Sequence, residues 1–136
     1  MLTARTERIA VRGPHDIVNV RQVVRGWCLA VGMGLVDLTK MVTAASEIAR
    51  NTLEYGGGGS LTIEELRDGV RQGVRLIFED QGQGIADIDR AMTDGYTSGT
   101  GMGLGLGGTK RLVDQFEIES TLGQGTRVAI TKWRSR

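Results

Sequence analysis

Glu47 and Asn51 stand four residues apart in Ser46-Glu47-Ile48-Ala49-Arg50-Asn51, so on a helix they stack on one face. A carboxylate and an amide placed this way offer oxygen ligands to Mg²⁺, a hard cation that keeps several waters. The carboxylate, one turn from the metal ligand, can also take a proton from an attacking hydroxyl. The same pair, with Arg50 and Glu54, equally describes a solvated polar face. Asp80 heads a second group, Asp80-Gln81-Gly82-Gln83-Gly84, closing the apolar run 74–78. It is either a turn aspartate or an acceptor for an exocyclic amine such as adenine's, with glycines that let a base lie against the backbone. The third group is the run from Gly99 to Gly108, and nine of the chain's 21 glycines fall between Gly82 and Gly108. Glycine costs a helix or strand interior roughly 1 kcal/mol relative to alanine, so something must offset the run. A phosphate chain is the leading candidate, because side-chain-free N–H groups at a helix start form an anion site. Lys110 and Arg111 follow, and either has the length to reach a phosphate. The pattern is neither a P-loop nor a Rossmann turn, since no G-x-x-x-x-G-K-[ST] occurs and the glycines do not open a βαβ unit.

These groups need elements to hold them. Residues 7–12 read as a first strand, broken by Gly13-Pro14. Asp16 is placed to cap a helix running to about Ala30, with Ile17, Val20, Val24, Trp27, Cys28 and Val31 on one stripe. Asp37 is a plausible cap for a second helix, whose apolar positions include Leu38, Met41, Val42, Ala45, Ile48, Ala49 and Leu53. The tetraglycine 56–59 ends it and reads as a tight connection rather than a linker. Residues 60–66 and 73–80 read as a hairpin turned at Asp68-Gly69. The stretch 85–100 is poorly periodic, with room for a short helical piece at 88–92; such stretches are usually functional or mobile. A helix over 108–116, with Leu112 and Val113 facing in, precedes closing strands at 117–121 and 126–133. The order predicts an α/β (α+β) two-layer sandwich in one domain over residues 1–136: a mixed, mostly antiparallel sheet covered on one face by about three helices.

Composition narrows the function classes. The chain has 136 residues and a formal net charge of +1, so it lacks the basic field that drives non-specific nucleic-acid binding. No apolar run approaches the ~18 residues of a membrane span, and the expected setting is the cytoplasm. Cys28 is the only cysteine and reads as a buried small hydrophobe. His15, the only histidine, reads as a turn or capping residue. Lys132, Arg134 and Arg136 read as a solvated terminus.

Singly the motifs are weak; together they are specific. Glu47-x-x-x-Asn51, Asp80-x-Gly82-x-Gly84, Gly101-x-Gly103-x-Gly105 and Gly123-x-Gly125-Thr126 resemble the four boxes of the GHKL ATPase family, over roughly residues 40–132. Length favours its small serine/threonine kinases of the anti-sigma-factor type. The segment 117–126 and the ending Thr131-Lys132-Trp133 look most like the switch kinases of bacterial stressosomes. The resemblance implies a Bergerat ATP-binding fold, with ATP/ADP and Mg²⁺ as cofactors. It implies Glu47 as general base, Asn51 as Mg²⁺ ligand and Asp80 as the adenine contact. Gly82, Gly84, Ile85 and Thr126 would line the base, and Gly101, Met102, Gly103, Leu104 and Gly105 would close over the phosphates. Sigma-sequestering relatives carry a lid arginine just before the glycine run; Tyr96-Thr97-Ser98-Gly99-Thr100 has none, which leaves Arg50, Lys110 or Arg111 for the γ-phosphate. The implied partners are a STAS-domain antagonist as substrate, a PP2C-type phosphatase activated by the free kinase, and a stressosome scaffold. The alternative is an anti-sigma factor kinase that sequesters a sigma factor. Leu2 and Trp27 are candidate interface residues.

Overall fold

The computed structural model describes residues 1–85, 88–92 and 105–135, and these form five strands and four helices, with the helices in two consecutive pairs. They are β1 (Leu2–Val11), α1 (Pro14–Ala30), α2 (Leu35–Glu54), β2 (Gly59–Asp68), β3 (Arg71–Asp80), α3 (Ile88–Ala91), α4 (Gly105–Lys110), β4 (Gln115–Thr121) and β5 (Gly125–Trp133). The strands form one sheet in the order β1-β2-β3-β5-β4. Every pairing is antiparallel, so the sheet is not mixed. Among the described residues no helix is long and apolar enough to cross a membrane.

The core lies between the sheet and α1 and α2. The anticipated stripes face it: Val20, Val24, Trp27 and Cys28 from α1, and Leu38, Met41, Ala45 and Ile48 from α2. They meet alternate strand residues, among them Leu61, Ile63, Val74, Leu76, Phe78, Val128 and Ile130. Trp27 is therefore no interface residue. It is 7% exposed, its indole N–H donates to Glu7 Oε1 at 2.9 Å, and Arg5 stacks on its ring at 3.9 Å. Leu2 is exposed. Burial pushes the Cys28 thiol up to about 12, which suits its reading as an inert core residue.

Asp16 caps α1 from inside its first turn, while Asp37 does not cap α2. Glycines occupy the N-cap positions, Gly13 for α1 and Gly34 for α2. Asp16 sits one turn inside and reaches back: its Oδ2 accepts from the N–H groups of Arg12 (2.8 Å) and Gly13 (3.0 Å), which hold its carboxyl below the usual range. Asp37, in the first turn of α2, accepts from the Ser135 hydroxyl and faces Lys132 at 3.7 Å. Lys132 is thus not part of a solvated terminus. Its side chain is 7% exposed and also approaches Asp114 at 3.9 Å. Exposed His15 lies in the first turn of α1, 3.6 Å from Asp16.

The helix expected over 108–116 is shorter and earlier. α4 ends at Lys110 because Asp114 is drawn into the sheet: its N–H donates to Thr131 O at 2.9 Å, and its Oδ2 accepts from Trp133 N–H at 2.7 Å. Phe116 is the second residue of β4 and, with Leu112 and Val113, packs on the core. The tetraglycine is a tight connection. Gly57 and Gly58 take positive φ (72° and 99°), and Gly59 already pairs with Asp80.

Candidate active site

The last turns of α2, the end of β3 and the start of α4 line one cavity of about 590 Å³. Ile48, Phe78, Leu106 and Val128 form apolar walls, and Glu47, Arg50, Asn51, Asp80 and Thr126 supply polar groups. A cavity of this size, with apolar walls and convergent polar groups, suits a small molecule.

α2 brings Glu47 and Asn51 to the cavity because its other face is spent on the core: Ala44, Ala45, Ile48, Ala49 and Thr52 are all buried. Glu47 Oε1 accepts from Arg50 Nη2 at 3.1 Å, within one helix turn. The helix ends at the motif, since the N–H groups of Tyr55 and Gly56 both donate to Asn51 O (3.0 and 3.3 Å).

Asp80 ends β3 as a turn residue and as a cavity residue at once. Its Oδ1 accepts from Gly82 N–H at 2.9 Å. Its second oxygen has no hydrogen-bond donor among the described residues. The glycines around it serve chain packing. A Cβ on Gly56 would strike the Asp80 carboxylate, and one on Gly82 would come within 2.6 Å of Gly56 Cα. Gly84 has φ +76°, and a Cβ there would strike Thr121 O. Gly82 therefore does not line the cavity; it lets the turn pack under Asp80, while Gly84 and Ile85 do line it.

Three site residues escaped the sequence reading. Ser120 Oγ accepts from Ile85 N–H (2.7 Å), donates to Gly125 O (3.1 Å) and lies 2.8 Å from Thr126 Oγ1. With its one proton given to Gly125, Ser120 receives the Thr126 hydroxyl proton. It thus ties the Asp80 loop to β5; its signal was the period-2 face Phe116, Ile118, Ser120 on β4. Tyr55 lines the cavity four residues after Asn51, and Arg90 lines it from α3. The anticipated cofactor contacts Glu47, Arg50, Asn51, Asp80, Gly84, Ile85, Gly105 and Thr126 come together. Lys110 is exposed at the end of α4 and does not line the cavity. Gly101, Met102, Gly103 and Leu104 lie outside the described residues.

The family model for histidine kinase-, DNA gyrase B- and HSP90-like ATPases matches residues 36–135. The chain belongs to that ATPase family. This GHKL chain is 44% identical over 118 residues to the serine/threonine-protein kinase RsbT of Bacillus subtilis, covering 87% of the chain and 89% of the relative. It is 30% identical over 119 residues to an anti-sigma F factor of Thermoanaerobacter, covering 83% and 82%. Of solved structures, the RsbU and RsbW domains of a Mycobacterium tuberculosis protein match with TM-score 0.64 and 20% identity, over 97% of this chain and 34% of that one. The mycobacterial sensor histidine kinase MprB matches with TM-score 0.57 and 19% identity, over 97% and 100%. At those identities the structural likeness concerns the fold. The family and the kinship to RsbT make this GHKL protein an enzyme of kinase type and imply ATP as its nucleotide.

Proposed function

We propose that the chain, a single domain working in the cytoplasm, transfers the γ-phosphoryl group of ATP to a serine or threonine hydroxyl of a STAS-domain antagonist. When free of that antagonist, it binds and activates a PP2C-type phosphatase, so that kinase and partner switch are one protein. A stressosome scaffold is a further proposed partner. The observation that carries the reading is the convergence of Glu47, Asn51 and Asp80 on one cavity in a chain 44% identical to RsbT.

The mechanism follows from placement. Asp80 accepts a hydrogen bond from the adenine amine and so fixes the base at the β3 end. Thr126, with its proton directed to Ser120, presents a lone pair to the base region. Glu47, one turn from Asn51, accepts the proton of the attacking hydroxyl. That oxygen then forms its bond to the γ-phosphorus as the β–γ bridging bond breaks, and ADP leaves with the electron pair. Catalysis of this kind is mostly positioning and charge neutralisation.

The donor set fits Mg²⁺. No group of three or more His, Cys, Asp or Glu able to hold a metal occurs among the described residues, and Mg²⁺ is usually held by one or two protein oxygens with phosphates and waters. Asn51 would hold it, with Glu47 adjacent; when bound, the ion neutralises charge on the phosphate oxygens. The testing experiment is incubation with γ-labelled ATP, Mg²⁺ and candidate STAS proteins. Label on a serine or threonine of a STAS protein supports the reading, and no transfer to any of them overturns it. The roughly 30% identity to anti-sigma F factors favours a second reading, a kinase that sequesters a sigma factor. Stable capture of a purified sigma subunit, with no binding to the phosphatase, would select it.

A further inference from the structure

We propose, resting on the partner-switch reading above, that the phosphatase docks on the end of the sheet opposite the nucleotide cavity, around Trp133 and the β2–β3 turn, and presents an acidic and apolar segment there. β5 runs from Thr126, which lines the cavity, to Trp133, about 23 Å away along the strand. Lys132 faces α2, where Asp37 meets it, so its neighbour Trp133 faces the other side of the sheet. Leu66, Gly73 and Trp133 stand in one cross-strand row on that side. A Cβ on Gly73 would come within 2.7 Å of the indole, so the ring lies across β3 on Gly73. Trp133 is only 8% exposed. Among the described residues, its Nε1 is the only buried side-chain nitrogen or oxygen without a hydrogen-bond partner. A buried donor left without an acceptor is costly, and a carboxylate or carbonyl brought by a partner removes that cost.

The group lying over the ring is Arg71, 4.1 Å from a ring centroid and itself half exposed. Arg67 pairs with Gln72, and the Arg134 N–H donates to Gln72 O at 2.8 Å. Arg134 reaches the α1–α2 turn at Gly32, so cations border this end on both faces. Two carboxylates answer these three arginines: Asp68, 3.9 Å from Arg71, and Glu65, which Arg67 shares with Arg5. The balance is positive. Val70, at the turn, is 80% exposed, and Leu2, paired with Arg67, is 62% exposed. Tryptophan, arginine and exposed apolar side chains gathered in one place are the usual anchors of a protein interface. The positive balance selects an acidic partner. A second copy is a poorer occupant, because a two-fold contact sets like arginines against one another. The antagonist is poorer too, because its hydroxyl must reach Glu47 in the cavity. The phosphatase needs no access to the cavity, and docking here leaves the nucleotide site open.

Wild type, Val70→Asp, Arg71→Glu and Trp133→Phe are titrated calorimetrically with the purified PP2C-type phosphatase. Each is also assayed for phosphorylation of the STAS-domain antagonist. Val70 and Arg71 are exposed at the turn, and Trp133→Phe keeps an aromatic ring on Gly73 while removing the donor. Val70→Asp and Arg71→Glu are each expected to weaken phosphatase binding about 10- to 100-fold, and Trp133→Phe about 3- to 10-fold. Antagonist phosphorylation is expected to stay within about twofold of wild type in all three. Phosphatase affinity within about twofold of wild type for Val70→Asp or Arg71→Glu would overturn the proposal. A parallel loss of antagonist phosphorylation would place the effect in the fold and overturn it too. A wild type that sediments as a dimer, with Val70→Asp a monomer, would give the surface to a second copy, again overturning it. A wild type that phosphorylates the antagonist but binds no phosphatase would refute the partner-switch reading itself, a distinct outcome.

Discussion

Replacing Asp80 by asparagine isolates one oxygen atom. In the native turn, Asp80 Oδ1 accepts from Gly82 N–H at 2.9 Å. The carbonyl oxygen of an asparagine keeps that bond, so the turn and its packing against Gly56 survive. The second oxygen, which has no hydrogen-bond donor among the described residues, becomes an NH₂ group. A donor then faces the exocyclic amine of adenine, itself a donor. The loss is one hydrogen bond to a charged acceptor, with two donors left unpaired. Together these are worth about 2–3 kcal/mol, or about 30- to 150-fold in affinity. Calorimetric titration with ADP measures the loss without the complication of transfer. Thermal unfolding without nucleotide should move by less than about 3 °C, since the turn is intact. Affinity within about threefold of wild type would refute the adenine assignment. Weak binding with a Tm fall of about ten degrees would place the effect in the turn and refute the same reasoning.

Other expectations test the frame around the site. Gly84→Ala puts a Cβ at φ +76° and against Thr121 O; about 2 kcal/mol of strain should lower the Tm by about 5–10 °C in a melting scan. Cys28 is buried with its thiol pushed up to about 12, so a thiol reagent should label native protein far more slowly than unfolded protein, where one equivalent reacts. The hydrogen bond from Ser135, and then Lys132, holds the Asp37 carboxyl below its usual range. Its folded pKa is depressed, so the stability it contributes is complete above its unfolded pKa and is lost as pH falls through the folded one. The denaturant midpoint of Asp37→Asn should therefore lie below wild type at pH 7 and converge with it in acid.

Much of this was legible in the residues because two periods are strong. α2 shows its helical stripe from Leu38 to Ala49 without interruption, and the same period carries Glu47 and Asn51 to the other face. The β2–β3 hairpin was legible from Asp68-Gly69, where Gly69 takes φ +63°. What failed depended on contacts distant in sequence. Asp37 has the chemistry of a cap, but Gly34 takes the cap position and the carboxylate bonds to Ser135, whereas Asp16 does cap α1, from inside the first turn through the Gly13 N–H. Lys132 looked like tail charge because Asp37 and Asp114, which bury it, are far away in the chain. The helix expected to reach Phe116 was curtailed by Asp114 pairing with β5, a tertiary preference that local periodicity does not carry. Ser120 is an ordinary strand serine until its three partners, Ile85, Gly125 and Thr126, are known.

The central claim is that the α2 carboxylate at position 47 takes the substrate proton in a pocket that binds ATP. Single-turnover transfer from γ-labelled ATP to a STAS-domain substrate, with wild type and Glu47→Ala side by side, tests it most directly. The account predicts nucleotide affinity within about threefold of wild type and a transfer rate lower by about 10²–10⁴-fold. Transfer at the wild-type rate by the alanine variant would contradict it.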